Sequence, residues 1–315
     1  MSTEYLKNRG FARYASVHCR VASCLGIALA LPLAACAAAE QPAISVQRDL
    51  PYRSAPSDDY ARTRCMLDLY LPAAGALPAA AQNLPVLLWF HGGGLEGGDK
   101  ASGPTSAAAK RFAAAGVVVA SVEYRLSPTV SAPAYIEDAA AATAWVANHI
   151  ADYGGDRHAL FIAGHSAGGY LAALLGADTR WLTAAGVPAA DIAGIIPVSG
   201  QTFTHFTISK ERHVADPEHT PVIDDYAPCH HVARAKTMPP FLVLCGDHDW
   251  PGRADENRCF VTLLKANGAT DATCIEVPDR THGSILGQLP NSTDPTSTAI
   301  LAFIAAHHQR AAVAH

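Results

Sequence analysis

Charge is scarce in this chain. Only 16% of its 315 residues are Asp, Glu, Lys or Arg, and the net charge is −5. No long basic run occurs, which leaves nothing from which to build a nucleic-acid groove. No two of the eight cysteines stand in CxxC spacing, so zinc and dithiol-redox motifs have no support. No apolar run is long enough for a comfortable membrane span. No internal repeat and no linker divides the body. Apolar residues, by contrast, make up half of the chain, enough for a substantial core within one α/β domain.

The first 36 residues stand apart. Lys7, Arg9, Arg13 and Arg20 precede the short apolar stretch VASCLGIALALPLAA, the layout of a bacterial export signal. That stretch ends in LAAC, Leu33 to Cys36, which resembles a lipoprotein lipobox. The resemblance implies a lipoprotein signal segment over 1–36, a lipid on Cys36, and, with Ala37 next, anchoring to the outer membrane. Ordinary cleavage within the same alanine run would instead give a periplasmic or secreted protein. In the lipoprotein reading the membrane is reached only through that lipid anchor. Export puts Cys65, Cys229, Cys245, Cys259 and Cys274 in an oxidising compartment, each expected as a disulfide or a buried thiol. Their pairing is not fixed by the sequence.

From residue 37 to 315 the chain reads as a single domain. PVLLWF, VVVASVEY, ALFIAG, IAGIIPVSG, PFLVLCG and ATCIEVPD are continuous apolar runs of strand length. Helix-like segments alternate with them: GPTSAAAKRFAAAG, YIEDAAAATAWVANHIADYG, AGGYLAALLGA, ADENRCFVTLLKANG and TSTAILAFIAAHHQ. Runs without polar alternation imply strands buried on both faces. The fold expected is α/β: a mostly parallel central sheet of about eight strands with helices on both faces. ISVQRDLPY and RCMLDLYLP supply leading strands, with an antiparallel edge. The segment 201–238 breaks the alternation, being polar, rich in histidine and without a clear period. A loop of that length between two sheet strands is expected to form a small cap over a site.

Within LFIAGHSAGGYLAALL, Ser166 falls between Gly164 and Gly168 where a strand passes into a helix. Such a turn lifts a hydroxyl above the sheet edge and leaves no room for flanking side chains. A serine hydroxyl barely ionises at neutral pH, so it needs a base and a place for the oxyanion. HGGGLEGGDK, His91 to Lys100, follows another strand, and its glycines free backbone N–H groups to point at a substrate carbonyl. The oxyanion donors expected are the N–H groups of Gly93, Gly94 and Ala167. The base expected is His282, in PDRTHGSIL beyond a strand's C-terminal end. LCGDHDW offers Asp247 and Asp249. Asp249, three residues past Gly246, has the reach to orient the histidine, while Asp247 holds the loop and Asp255 serves as a first-turn acid of a helix. The catalytic residues expected are thus Ser166, Asp249 and His282, in the order this architecture uses.

On these residues the chain, from about Ile44 onward, resembles the α/β-hydrolase fold family, in the group of HGGG-bearing esterases and lipases that includes hormone-sensitive-lipase-like esterases. HGGGLEGGDK together with GHSAGG is similar to the branch of bacterial carboxylesterases, acetylxylan and feruloyl esterases and arylformamidase-like enzymes. SVEYRLSP is similar to the group's DYRLAP element, which implies that Tyr124 and Arg125 brace the oxyanion loop, with Glu123 replacing the usual aspartate. Many members have an aspartate before the serine, where this chain has His165.

The reaction implied is acyl transfer from a small-molecule ester to water, through an acyl-enzyme, with no metal or organic cofactor. Short-chain acyl or aryl esters, including acetyl or feruloyl esters of polysaccharide, follow by analogy. Alternatives are an arylformamidase-like amidase and a non-catalytic binding protein on the same fold. A peptidase of this fold would bring a propeller domain, and no blade-length repeat is present. The irregular spacing of His205, His213, His219, His230 and His231 matches no metal-ligand pattern. Leu95 and Trp250 are the residues expected to bind substrate, with Glu96, Phe203, Phe206 and Tyr226 as further candidates. His149, His307 and His308 are expected in solvent.

Overall fold

Eight strands pair into one sheet in the order β1-β2-β4-β3-β5-β6-β7-β8. Their ranges are β1 Ile44–Pro51, β2 Met66–Pro72, β3 Leu84–Phe90, β4 Val118–Val122, β5 Gly155–His165, β6 Ile192–Val198, β7 Phe241–His248 and β8 Ala272–Thr281. β2 runs antiparallel to β1 and to β4, and every pair from β4 across to β8 is parallel. This computed structural model describes residues 44–56, 58–73, 83–234 and 238–314. Cys36 and the signal segment lie outside the described residues.

The continuous apolar runs bury both faces, and their alternation sorts side chains into two cores. Leu88, Phe90, Ile162 and Leu160 pack with Ile136, Leu171 and Phe260, from the helices Ala134–His149, Ala167–Ala177 and Arg253–Ala266. On the opposite face Leu87, Trp89, Phe161 and Ile196 meet Phe112 and Ile300, from Gly103–Ala114 and Pro295–Ala314. A fully buried side chain of this size contributes about 1.5–3 kcal/mol. The helix Ala167–Ala177 is buried along its whole length, which suits its run of Ala, Leu and Gly. The sheet is therefore sealed on both sides, and its accessible working surface is the row of C-terminal strand ends.

Three features depart from expectation. The segment 201–238 is not all loop: Phe206–Glu211 and Pro228–His231 are short helices within it. His307 is buried rather than in solvent, with its ring nitrogens bonded to the Phe303 carbonyl and the Asp271 carboxylate. Of the five cysteines of the body, all free thiols, Cys65 and Cys245 are buried as expected, whereas Cys259 is exposed. No helix among the described residues is long and apolar enough to cross a membrane.

Candidate active site

β5 ends at His165 and a helix begins at Ala167, so Ser166 alone makes the turn between them, at φ 56° and ψ −117°. That backbone is strained for any residue with a Cβ. The neighbouring chain enforces it. A Cβ on Gly168 would stand 2.0 Å from the carbonyl oxygen of Phe90, so no side chain fits there. The Ser166 N–H donates to the Val198 carbonyl at 2.9 Å, which ties the turn to the end of β6.

His282 opens the short helix His282–Gly287, directly after β8, and Thr281 and Ser284 cap that helix reciprocally. Its Nε2 lies 2.9 Å from Ser166 Oγ and its Nδ1 lies 2.7 Å from Asp249 Oδ1. With Asp249 ionised, Nδ1 carries the proton and Nε2 is free to accept from the serine. The Trp250 N–H donates to the same carboxylate oxygen at 2.7 Å. Burial pushes the Asp249 carboxyl upward, but the hydrogen bond from His282, with the buried Ser199 hydroxyl nearby, outweighs it and holds the group below its ordinary value. Asp247 instead accepts the Arg280 N–H at 3.1 Å and braces the loop, and Asp255 sits in the first turn of Arg253–Ala266.

Ser199 had no place among the sequence candidates. It is fully buried at φ 52°, and its N–H donates to the Leu244 carbonyl at 2.7 Å. The signal that could have found it is positional: it is the polar residue directly beyond a buried parallel strand, next to a glycine.

The glycine-rich loop is held from below. Tyr124 OH donates to the His91 carbonyl at 2.7 Å, and the His91 ring stacks on Tyr124 with centroids 4.3 Å apart. Glu123 accepts from His91 Nε2 at 2.7 Å and from the Lys100 N–H at 3.2 Å. Arg125 pairs with the buried Asp138. Gly93 has φ 122°, and a Cβ there would stand 2.2 Å from the Gly97 carbonyl oxygen. Among the described residues, none accepts from the N–H groups of Gly93, Gly94 or Ala167.

Beside His282 opens a cleft of about 670 Å³. Trp250 forms one wall, with its indole stacked on the His282 ring at 3.8 Å and 14°. Phe203 and Phe206 come from the segment 201–238, as do Pro217 to Pro221, and Gln201, Arg253 and Glu256 add polar groups. Phe206 lies against Gly94, and Thr207 Oγ1 donates to the Gly94 carbonyl, so this segment also holds the glycine-rich loop. Leu95 is a correction: its side chain is fully buried in the core and does not line the cleft. Its position φ of 59° turns the chain at the loop's end, which sends the side chain inward. Glu96 pairs with Lys210 at 2.7 Å, and Tyr226 packs against the core. The histidines of 201–238 do not converge. Among the described residues the side chains whose ligand atoms lie close together are Asp247, His248 and Asp279, all exposed.

A mostly parallel eight-stranded sheet with Ser166, His282 and Asp249 linked at its strand ends defines an α/β-hydrolase. The comparisons place it further: the BD-FAE family pattern matches residues 67–251, and the chain belongs to that family. It is similar to esterase LipC of Mycobacterium tuberculosis, 32% identical over 241 residues, which is 71% of this chain and 59% of that protein. The chain thus spans under two thirds of that relative's length. Carboxylesterase NlhH of the same organism is 29% identical over 252 residues, 73% of this chain and 76% of that one. Among solved structures, esterase B from Lactobacillus rhamnosis superposes with a TM-score of 0.68 at 19% identity, covering 85% of this chain and 88% of that chain. This last likeness concerns the fold.

Proposed function

We propose that this protein hydrolyses carboxylic esters through a covalent acyl-enzyme. The observation that carries the reading is the continuous relay from Ser166 Oγ through both nitrogens of His282 to Asp249. Ser166 attacks the ester carbonyl while His282 Nε2 takes its proton. Asp249 holds the tautomer and stabilises the imidazolium. The N–H groups of Gly93, Gly94 and Ala167 receive the oxyanion, each worth about 3 kcal/mol of barrier by comparison with donor deletions elsewhere. His282 then protonates the departing alcohol, and water repeats the attack with the roles reversed. The relatives' names, esterase and carboxylesterase, support this reading.

Since His282 must reach the leaving oxygen, the cleft walled by Trp250 receives the part of the substrate beside it. Its aromatic and proline walls suit short acyl or aryl esters, including those of polysaccharide. The lipobox ending in Cys36 supports export and outer-membrane anchoring, testable by metabolic palmitate labelling of wild type against Cys36→Ala.

The catalytic reading is tested with p-nitrophenyl acetate, butyrate and decanoate. Turnover of the short esters should fall by about 10⁵-fold or more in Ser166→Ala. Activity that survives this substitution would place the nucleophile elsewhere. A wild type inert on every ester would favour a formamide substrate or a binding protein.

A further inference from the structure

We propose that His165, the residue before the nucleophile, is a positioning residue that holds the main chain of His282 by donating a hydrogen bond to its carbonyl. The inference rests on the hydrolase reading of the same site. His165 Nε2 lies 2.7 Å from the His282 carbonyl oxygen. A carbonyl can only accept, so the proton resides on Nε2. Burial, with His282 adjacent, lowers the His165 pKa to about 4, so near neutral pH the ring is uncharged and carries that one proton.

The ring is wedged among three parts of the site. Its centroid is 4.8 Å from that of His282. A Cβ on Gly92 would come within 3.2 Å of both His165 Nδ1 and Ser166 Cβ, so the imidazole also underlies the glycine-rich loop. One side chain thereby spans the nucleophile's strand, the oxyanion loop and the base.

His282 needs such a hold because the sheet does not supply one. β8 pairs with β7 regularly only as far as Gly246 and Val277, and the register shifts before His248 pairs with Thr281. His282 follows that irregularity and begins a helix of only six residues. Asp249 and Ser166 fix the direction of its ring, whereas His165 fixes the backbone that carries the ring. A carboxylate at 165 would have no proton to offer the carbonyl. An imidazolium there would place a second positive charge beside the one His282 acquires in the transition state, which a neutral donor avoids.

The test compares wild type with His165→Leu, His165→Asn and His165→Gln. It reads kcat and KM on p-nitrophenyl acetate, the rate at which a fluorophosphonate labels Ser166, and thermal unfolding as a check on folding. Gln places an amide N–H where Nε2 stands, whereas Asn is one methylene too short and Leu has no donor. Leu and Asn should lose about 10- to 100-fold in kcat and in labelling rate with little change in KM, and Gln should recover most of both. Folded Leu and Asn variants that match wild type would overturn the proposal. So would a folded Gln variant as slow as Asn. Should Leu not fold, the Gln and Asn pair decides. A wild type that is labelled but hydrolyses no ester would sink the esterase reading alone, because the labelling series still judges His165. A wild type that is neither labelled nor active overturns both.

Discussion

Ser166, Asp249 and His282 stand at the ends of β5, β7 and β8, while most of the wall of the neighbouring cleft comes from 201–238, between β6 and β7. In the first group the nucleophile is fixed by backbone, with N–H groups of Ser166 and Ser199 bonded to the neighbouring strands and a glycine with no room for a Cβ, whereas His282 relies on bonds to side chains. The second group adds side-chain pairs to its own turns. Arg212 and Thr204 hold Asp224, Lys210 holds Glu96, and His219 holds Asp216 in an exposed stretch. The turn that carries the nucleophile is thus assigned to the sheet, and much of the cleft wall is assigned to a segment whose side-chain bonds can be exchanged singly.

After loss of the nucleophile itself, the largest expected effect tests the rigid side. Asp249→Asn should keep the fold but leave His282 in the wrong tautomer, lowering kcat by about 10³- to 10⁴-fold in stopped assays on p-nitrophenyl butyrate. A loss below tenfold would mean that Asp249 does not orient the base.

Acid should then probe both regions together, because each contains a histidine that burial holds neutral. Burial lowers His165 to about 4 and His205 to about 3. Below the ordinary value of about 6.5 the unfolded chain binds protons that the folded chain refuses. Stability should therefore be complete above that pH and fall as the pH drops toward about 4 for His165 and about 3 for His205. Thermal unfolding against pH checks this. His205 Nδ1 accepts the Thr207 N–H as a helix cap, so His205→Asn keeps an acceptor and should flatten the slope. An unchanged slope would remove His205 as a source.

On the cleft wall the effects should fall on selectivity. Phe206→Ala opens the space over Gly94 and should raise the decanoate-to-acetate ratio of kcat/KM by about 10-fold, with kcat on acetate nearly kept. Equal losses on both esters would mean that the wall also holds the oxyanion loop in register. The smallest effect belongs to the half-exposed Arg212. Cutting its pair with Asp224 by Arg212→Ala should cost no more than about 0.5 kcal/mol in urea unfolding.

Much of this arrangement was legible before folding, because its causes are local. Continuous apolar runs had to be strands sealed on both faces, and the eight-stranded, mostly parallel sheet follows from them. Glycines around Ser166 and behind His91 marked the turns where no side chain fits, and that is a property of the residue itself. Other features escaped because they depend on what another strand brings alongside. Leu95 is as apolar as any pocket residue, and only the path of the loop sends it into the core. His307 sits among helix residues that read as exposed until Asp271 meets it. Ser199 beneath Asp249 and His165 against the His282 carbonyl join residues 50 and 117 positions apart. The sequence alone thus determined the strands, the turns and the candidate chemistry, since these follow from hydrophobicity and steric limits over a few residues. Tertiary structure alone decided which polar groups meet, since a hydrogen bond is set by distance and direction in space, to which separation along the chain is blind.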